Sequence, residues 1–591
     1  MKYNLDKFNS AVEDYKKILK NLKNKSVLIY FNLDNKKAYY SIAPLSKAIH
    51  ELGGELNAVA FEKSSSSLDV LKDVWQCFRE LKKGIKDKKT IALKEFIDEA
   101  EKKAKGRFID IFNPPELILE EGEKGFKGMF KPPYYDEWFV PYRFDDLIET
   151  AKIIWNQVYD LKKGENVSIG FETVPKEKDL ELPLEDYLDS YAIAYAMMLA
   201  IKGYASGLRM GTTTSKMSML EKGERISELR ATLLGCELDK EIDEPVFVKF
   251  KKLSELLKIN RLEIPDATFS VRGKGYGGKH LFGEVIGYPT LNKKSRWSSP
   301  GQIIYKLDYY PQTKLEDRDP KARVGFTETL PIDVFIESCR IDWLKMKARD
   351  DKIREIVDKS DKIIVSGESV EGGRTEFEVG MIKRDGGRRK VRGSDVETRN
   401  KINQDYFKET GIKAGTMANI PGGEAFMTPE YLKGTFVGDV VISLDQSYML
   451  SEKNPLVVEC YGDCYKVLKG DKAIIEKFEK KKKEAWKQIL EQEKNKSLPF
   501  DLIKLKKDNF NRIGEFAINT NPNAKLCNYL IVNEKIANMI HIALGSGFEA
   551  DRATEYHTDI VIDAPRQKLD IYGIDKKGNK LWILKKGKFV V

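Results

Sequence analysis

The stretch "SVLIYFNLDNKKAYYSIAPLSKAIHELGGELNAVAF", Ser26–Phe61, decides the reading of the fold. Its opening "SVLIYFNLD" is a short apolar run with aromatic and β-branched side chains, the pattern of a strand buried on both faces. "APLSKAIHELGG" then reads as a helix stopped by glycine, and "ELNAVAF" as a second strand. Strand, helix and strand form a β-α-β unit, so a parallel sheet is expected near the N-terminus. His50 falls inside this helix and reads as a packing or surface histidine. Ahead of the unit, "MKYNLDKFNSAVEDYKKILKNLK" aligns Phe8, Val12, Tyr15, Ile18, Leu19 and Leu22 as the apolar side of a helix, with no apolar run of a signal peptide.

Downstream the pattern loosens. Helical periodicity is expected over 66–105 and 185–205. Between them "FNPPELILEEGEKGFKGMFKPPYYDEWFVPYRFDD" reads as an irregular surface or lid segment. "FSVRGKGYGGKHLFGE" spells G-x-G-x-x-G at Gly273, Gly275 and Gly278. A dinucleotide fingerprint must open a helix, and the glycines and proline of "KHLFGEVIGYPTLN" argue instead for a glycine-rich loop, with His280 in it.

Composition narrows the function classes. Hydrophobic residues make up 41% and charged residues 33% of the 591, as in a globular chain of several domains. The net charge of +10 is the difference of 102 basic and 92 acidic residues spread along the chain. There is no localised basic stripe, so no nucleic-acid partner is expected. The densest basic run, "EKFEKKKKEAWKQ", alternates with glutamate and reads as a solvated helix face. "YAIAYAMMLAIKGYASGL" is the longest apolar stretch and Lys202 interrupts it, so no membrane partner is expected. Only Cys460 and Cys464 of the six cysteines lie close together, too little for a zinc motif. Reduced thiols and a cytoplasmic location follow as expectations.

The chemistry concentrates near the C-terminus. The chain has four histidines, and two of them, His541 and His557, fall in "MIHIALGSGFEADRATEYHTDIVID". "EYHTDIVID" reads as a strand, on which His557 and Asp559 share a face. An imidazole and a carboxylate side by side on a rigid element suit a metal ion, or a structural hydrogen bond. Glu424 follows a Pro-Gly-Gly turn in "MANIPGGEAFMTPE", and Glu515 precedes an apolar run in "RIGEFAINTNP". A charge between a turn and an apolar run must face a cleft or be paired. Two imidazoles and three carboxylates make a plausible set for two divalent cations.

These motifs also carry a resemblance. "NIPGGEAFMTP", "GEFAINTNP", "EKIANMIHIALGSG" and "YHTDIVID" resemble, in order, the motifs of the aminopeptidase T and aminopeptidase PepS family of dinuclear metallopeptidases. The block "FIESCRIDWLKMKARDDKIREIVDKSDKIIVSGES" with "GGRTEFEV" is similar to the segment preceding that family's catalytic region. The likeness covers roughly residues 331–591, more weakly 1–61, and leaves 65–330 unmatched. It implies an α/β N-terminal domain with a parallel sheet, starting at 1–65. It implies an α+β catalytic domain with a strand-rich metal site over 331–591. Between them, 66–330 is expected to be a large inserted region that partly continues the N-terminal domain.

The resemblance further implies that Glu424, Glu515, His541, His557 and Asp559 hold two divalent ions (Zn, Co or Mn). In such a site a carboxylate must carry a proton to the leaving amine; Glu515 is the expected carrier, and Glu534, in the His541 segment, is either a second candidate or a surface acid. A homodimer acting on peptide substrates is the implied assembly and activity. Phe548 stands where the family usually has a tyrosine, and "RATEYH" departs from the family's Asn-x-Ser pattern. A phenyl ring cannot donate the hydrogen bond a phenol gives. The alternative is therefore a catalytically weakened scaffold that binds peptides or a partner.

Overall fold

The run Val27–Phe31 is buried along its whole length because Ser26–Asn32 is an inner strand covered by helices. The chain is described by a computed structural model over residues 2–61, 115–213, 267–272, 323–394, 417–494 and 500–591, apart from a few interior positions, with isolated positions elsewhere. Gly273, Gly275, Gly278, His280, Phe548 and nearly all of 66–105 lie outside the described residues.

Ser26–Asn32 and Glu55–Phe61 pair in parallel, Ser26 opposite Glu55, as a β-α-β unit requires. The intervening helix runs Lys36–Glu51. It starts earlier than the sequence suggests because Asn35 caps it, accepting from the Ala38 amide at 3.2 Å. Gly53 ends it at φ +82°, a conformation costly for any residue with a Cβ.

Eight strands share this sheet, in the order Met417–Asn419, Arg323–Glu328, Ala267–Arg272, Asn166–Glu172, Gly207–Thr213, Glu55–Phe61, Ser26–Asn32, Leu117–Glu120. Every described pairing is parallel except Val59–Phe61 against Arg209–Gly211. Strands from the 66–330 region thus lie in one sheet with Ser26–Phe61, and Met417–Asn419 returns to it from far along the chain.

The segment expected to be a surface or lid is instead an anchor. Leu117–Glu120 is its edge strand, and Trp138 is 1% exposed. Trp138 Nε1 donates to the Tyr40 carbonyl at 2.9 Å, and its ring packs edge-on against Phe8. Phe126, Phe130, Tyr134, Tyr135 and Phe139 pack into or against the same core. Aromatic rings spaced through a polar stretch bury area that its composition disguises.

The remaining strands form two antiparallel sheets. One runs Cys464–Lys469, Leu456–Gly462, Tyr431–Gly438, Gly373–Gly380, Ser360–Val370, Asp570–Asp575, Lys580–Lys585, Lys588–Phe589. The other runs Gly393–Ser394, Glu424–Met427, Ile513–Asn519, Ile540–Gly545, His557–Ile562, Val441–Ser443, Ser447–Met449. Phe377 and Phe436 of the first enclose a common core with Phe516, Ile542 and Ile560 of the second. The second sheet therefore turns one face to this core, and its other face is free to carry polar groups. Among the described residues no helix is long and apolar enough to cross a membrane.

Candidate metal centre

Glu424, Glu515, His541 and the His557–Asp559 pair stand on four adjacent strands of the second antiparallel sheet. Side chains alternate faces along a strand. Ala425, Phe516, Ile518, Ile540, Ile542 and Ile560 are buried on the faces of their strands that alternate with the polar five, most of them in the core between the sheets. Glu515, Ala543 and Asp559 lie in one cross-strand row, so the small methyl of Ala543 separates two carboxylates. Gly423 sets the entry of Glu424. At φ +129° an added Cβ would stand 2.7 Å from Asn521 Cβ and 2.8 Å from Met346 Sδ.

Ligand atoms of Glu424, Glu515 and His541 lie within 4.8 Å of one another, and so do those of Glu515, His557 and Asp559. Glu515 belongs to both groups. Its Oε1 is 3.3 Å from His541 Nε2, and its Oε2 is 3.6 Å from His557 Nε2. His541 Nε2 is 3.5 Å from Glu424 Oε2, and His557 Nε2 is 3.0 Å from Asp559 Oδ1. All five side chains are buried. Three clustered carboxylates with two imidazoles are chemically suited to divalent cations of the Zn, Co or Mn type.

Outer partners fix the imidazoles. His541 Nδ1 lies 2.8 Å from Asn519 Oδ1, and His557 Nδ1 lies 2.7 Å from the Ser546 carbonyl. Each bond leaves Nε2 as the nitrogen facing the carboxylates. The Ser443 hydroxyl accepts from the Asp559 amide at 2.9 Å and donates to Asp559 Oδ2 at 3.3 Å.

The electrostatics match a cation site. Burial pushes the His557 imidazole down, but Asp559 and Glu515 outweigh it and raise it to about 9. Burial pushes Asp559 up, yet His557 holds it well below the usual carboxylate range. A proton on His557 supplies charge that a metal ion would otherwise supply, and the two compete for the same nitrogen.

Among the described residues two lysines border the cluster. Lys535, 1% exposed, places Nζ 2.7 Å from Glu424 Oε1 and 2.9 Å from Glu534 Oε1. Burial raises the Glu534 carboxyl, and Asp559 adds to the effect while Lys535 opposes it. Glu534 therefore belongs to the cluster's surroundings rather than to an open surface. Lys481 donates to the carbonyls of His557 (2.9 Å), Ser443 (3.3 Å) and Leu444 (3.4 Å). Burial lowers it to about 7. The run read as a solvated helix face thus turns Lys481 inward. Asn519 and Lys535 lie within the motifs "GEFAINTNP" and "EKIANMIHIALGSG" but carry no chemical signal of their own there, and Ser443 lies outside every motif.

Tyr556 does not reach the cluster: its hydroxyl donates to the Phe510 carbonyl at 2.6 Å and lies 2.5 Å from the Tyr465 hydroxyl. His50 is remote, with Nε2 2.9 Å from Thr173 Oγ1. Cys460 and Cys464 are both free thiols.

No protein-family model matches the chain, and no curated protein matches it. Among solved structures the chain is similar to wild-type AmpT from Thermus thermophilus. Identity is 12% and the TM-score 0.37, over 76% of this chain and 100% of that one.

Proposed function

We propose that the protein is a metal-dependent aminopeptidase that releases N-terminal residues from peptides. The observation that carries this reading is the pair of three-residue donor groups sharing Glu515, built from the five residues that the motif resemblance assigns. When bound, divalent ions in such a site would bring the pKa of a bound water toward neutrality and polarise a carbonyl.

The chain's own groups supply the rest. Glu424, His541, Glu515, His557 and Asp559 would hold the ions, with Glu515 between them. Both Glu515 oxygens face imidazoles, which commits this residue to ligation. Glu534, buried beside the cluster with Lys535 Nζ 2.9 Å from its Oε1 and its carboxyl raised by burial, is then our candidate to take a proton from water and pass it to the leaving amine. Burial of the ligands keeps bulk water from screening them.

The test is release of the first residue from a short peptide, unblocked or N-acetylated, by metal-free protein given Co, Mn or Zn. Metal-dependent cleavage of the unblocked peptide alone is expected. No cleavage by protein that binds two ions would overturn the enzyme reading. It would favour a peptide-binding scaffold, the outcome that Phe548 in place of a phenol favours.

A further inference from the structure

We infer that the two metal positions are inequivalent, and that Lys535 makes the Glu424–His541 position the weaker, exchangeable one. The inference rests on the dinuclear reading and adds an order of loading to it.

By donor type the two positions are nearly matched: each has one imidazole, one carboxylate of its own and a share of Glu515. The surroundings differ. The Lys535 ammonium lies 2.7 Å from Glu424 Oε1, so that ligand already shares its charge with a buried cation. Glu534 holds the same ammonium from the other side at 2.9 Å, and the Lys535 carbonyl accepts from the Asn521 amide at 2.9 Å. Lysine and ligand are therefore fixed beside each other in a region where water screens little.

A divalent ion at the Glu424–His541 position would face this ammonium across a single carboxylate. Asp559 has no lysine in direct contact: its carboxylate is bonded by the neutral Ser443 hydroxyl and by His557, and Lys535 acts on it only from a longer distance. Among the described residues another nearby cation, Lys481, is bonded to three backbone carbonyls rather than to a ligand carboxylate, and its charge acts on Asp559 only from a distance. An ion at the Glu515–His557–Asp559 position takes the place of any proton on His557 Nε2, whereas an ion at the other position leaves the Lys535 ammonium beside Glu424, so lasting charge repulsion falls mainly on the Glu424–His541 position and the other fills first.

The test is calorimetric titration of the metal-free full chain with Zn or Co at fixed pH, a readout independent of activity. Two steps separated by tenfold or more in affinity are expected. Asp559→Asn should abolish the tight step and Glu424→Gln the weak one. Lys535→Met should tighten the weak step and narrow the gap, whereas Lys535→Arg should preserve it. If Lys535→Met does not fold, the first two variants still decide which step belongs to which position. Two ions bound with equal affinity, or the opposite assignment of steps, would overturn the inference and leave the dinuclear reading standing. Binding of no divalent ion would overturn both.

Discussion

At the scale of single residues, the centre depends on groups that touch no ligand atom but hold one in place. Asn519 is fully buried and fixes the His541 ring through Nδ1. Asn519→Ala removes that hold while leaving the ligands intact. Loss of such an outer partner lowers metal affinity by about 10- to 100-fold. Equilibrium dialysis against Zn or Co should show the loss for one bound ion. Unchanged affinity for both would mean that strand geometry alone orients His541. The ligands themselves are legible in the sequence because their chemistry is rare in this chain: two of four histidines, and an H-x-D spacing that strand alternation converts into a shared face. Lys481 is not legible. A lysine in "EKKKKEAW" has the same sequence signal whether its ammonium meets water or a carbonyl, and only packing of the helix Lys472–Lys494 decides.

At the scale of elements, the centre is a property of strand register. Ala543 lies between Glu515 and Asp559 in one row, and a larger side chain there would enter the space their carboxylates share. Ala543→Leu should keep the sheet, since leucine suits a buried strand, and reduce metal binding to below one ion per chain. Metal analysis and far-ultraviolet circular dichroism together test this, and two ions retained in the variant would place the donor cluster elsewhere. A second element-scale device fixes the approach to His557. Lys506, on the helix Phe500–Asp508, is ion-paired with Glu555, and both side chains are fully buried. Removing one partner strands a buried charge, which costs about 3–5 kcal/mol. Lys506→Met should lower the denaturant midpoint accordingly, and Lys506→Met with Glu555→Leu should recover most of the loss. A single variant of unchanged stability would refute the pairing. Strand existence is readable from runs such as "ELNAVAF", found at Glu55–Phe61 as written. The start of the helix at Lys36 is not, because Pro44 imitates a first-turn proline while the operative cap is Asn35.

At the scale of the whole molecule, strand order exceeds what local pattern can convey. Met417–Asn419 offers three residues, yet it joins the parallel sheet beside Arg323–Glu328 and leads within a few residues to Glu424. Asn521 adds a tie near the centre: its amide donates to the Ser338 carbonyl at 3.0 Å and to the Gly422 carbonyl at 2.9 Å. A disturbance in the parallel sheet is therefore felt as global stability, and His50 provides one. Burial, with Lys176 nearby, lowers its imidazole from 6.5 to about 4, although the Gly54 backbone opposes this. Between those values the unfolded chain binds the proton and the folded chain does not. Stability contributed by neutral His50 is thus fully present above pH 6.5 and falls as the pH drops toward 4, then levels off. Each pH unit between the folded and unfolded titration midpoints is worth about 1.4 kcal/mol, so with partial exposure discounted the loss is about 2–3 kcal/mol. Unfolding of the metal-free chain, followed by denaturant at several pH values, should show this slope, and His50→Gln should flatten it across the same window. An identical slope in the variant would assign the acid sensitivity to other groups and leave His50 charged in the folded protein.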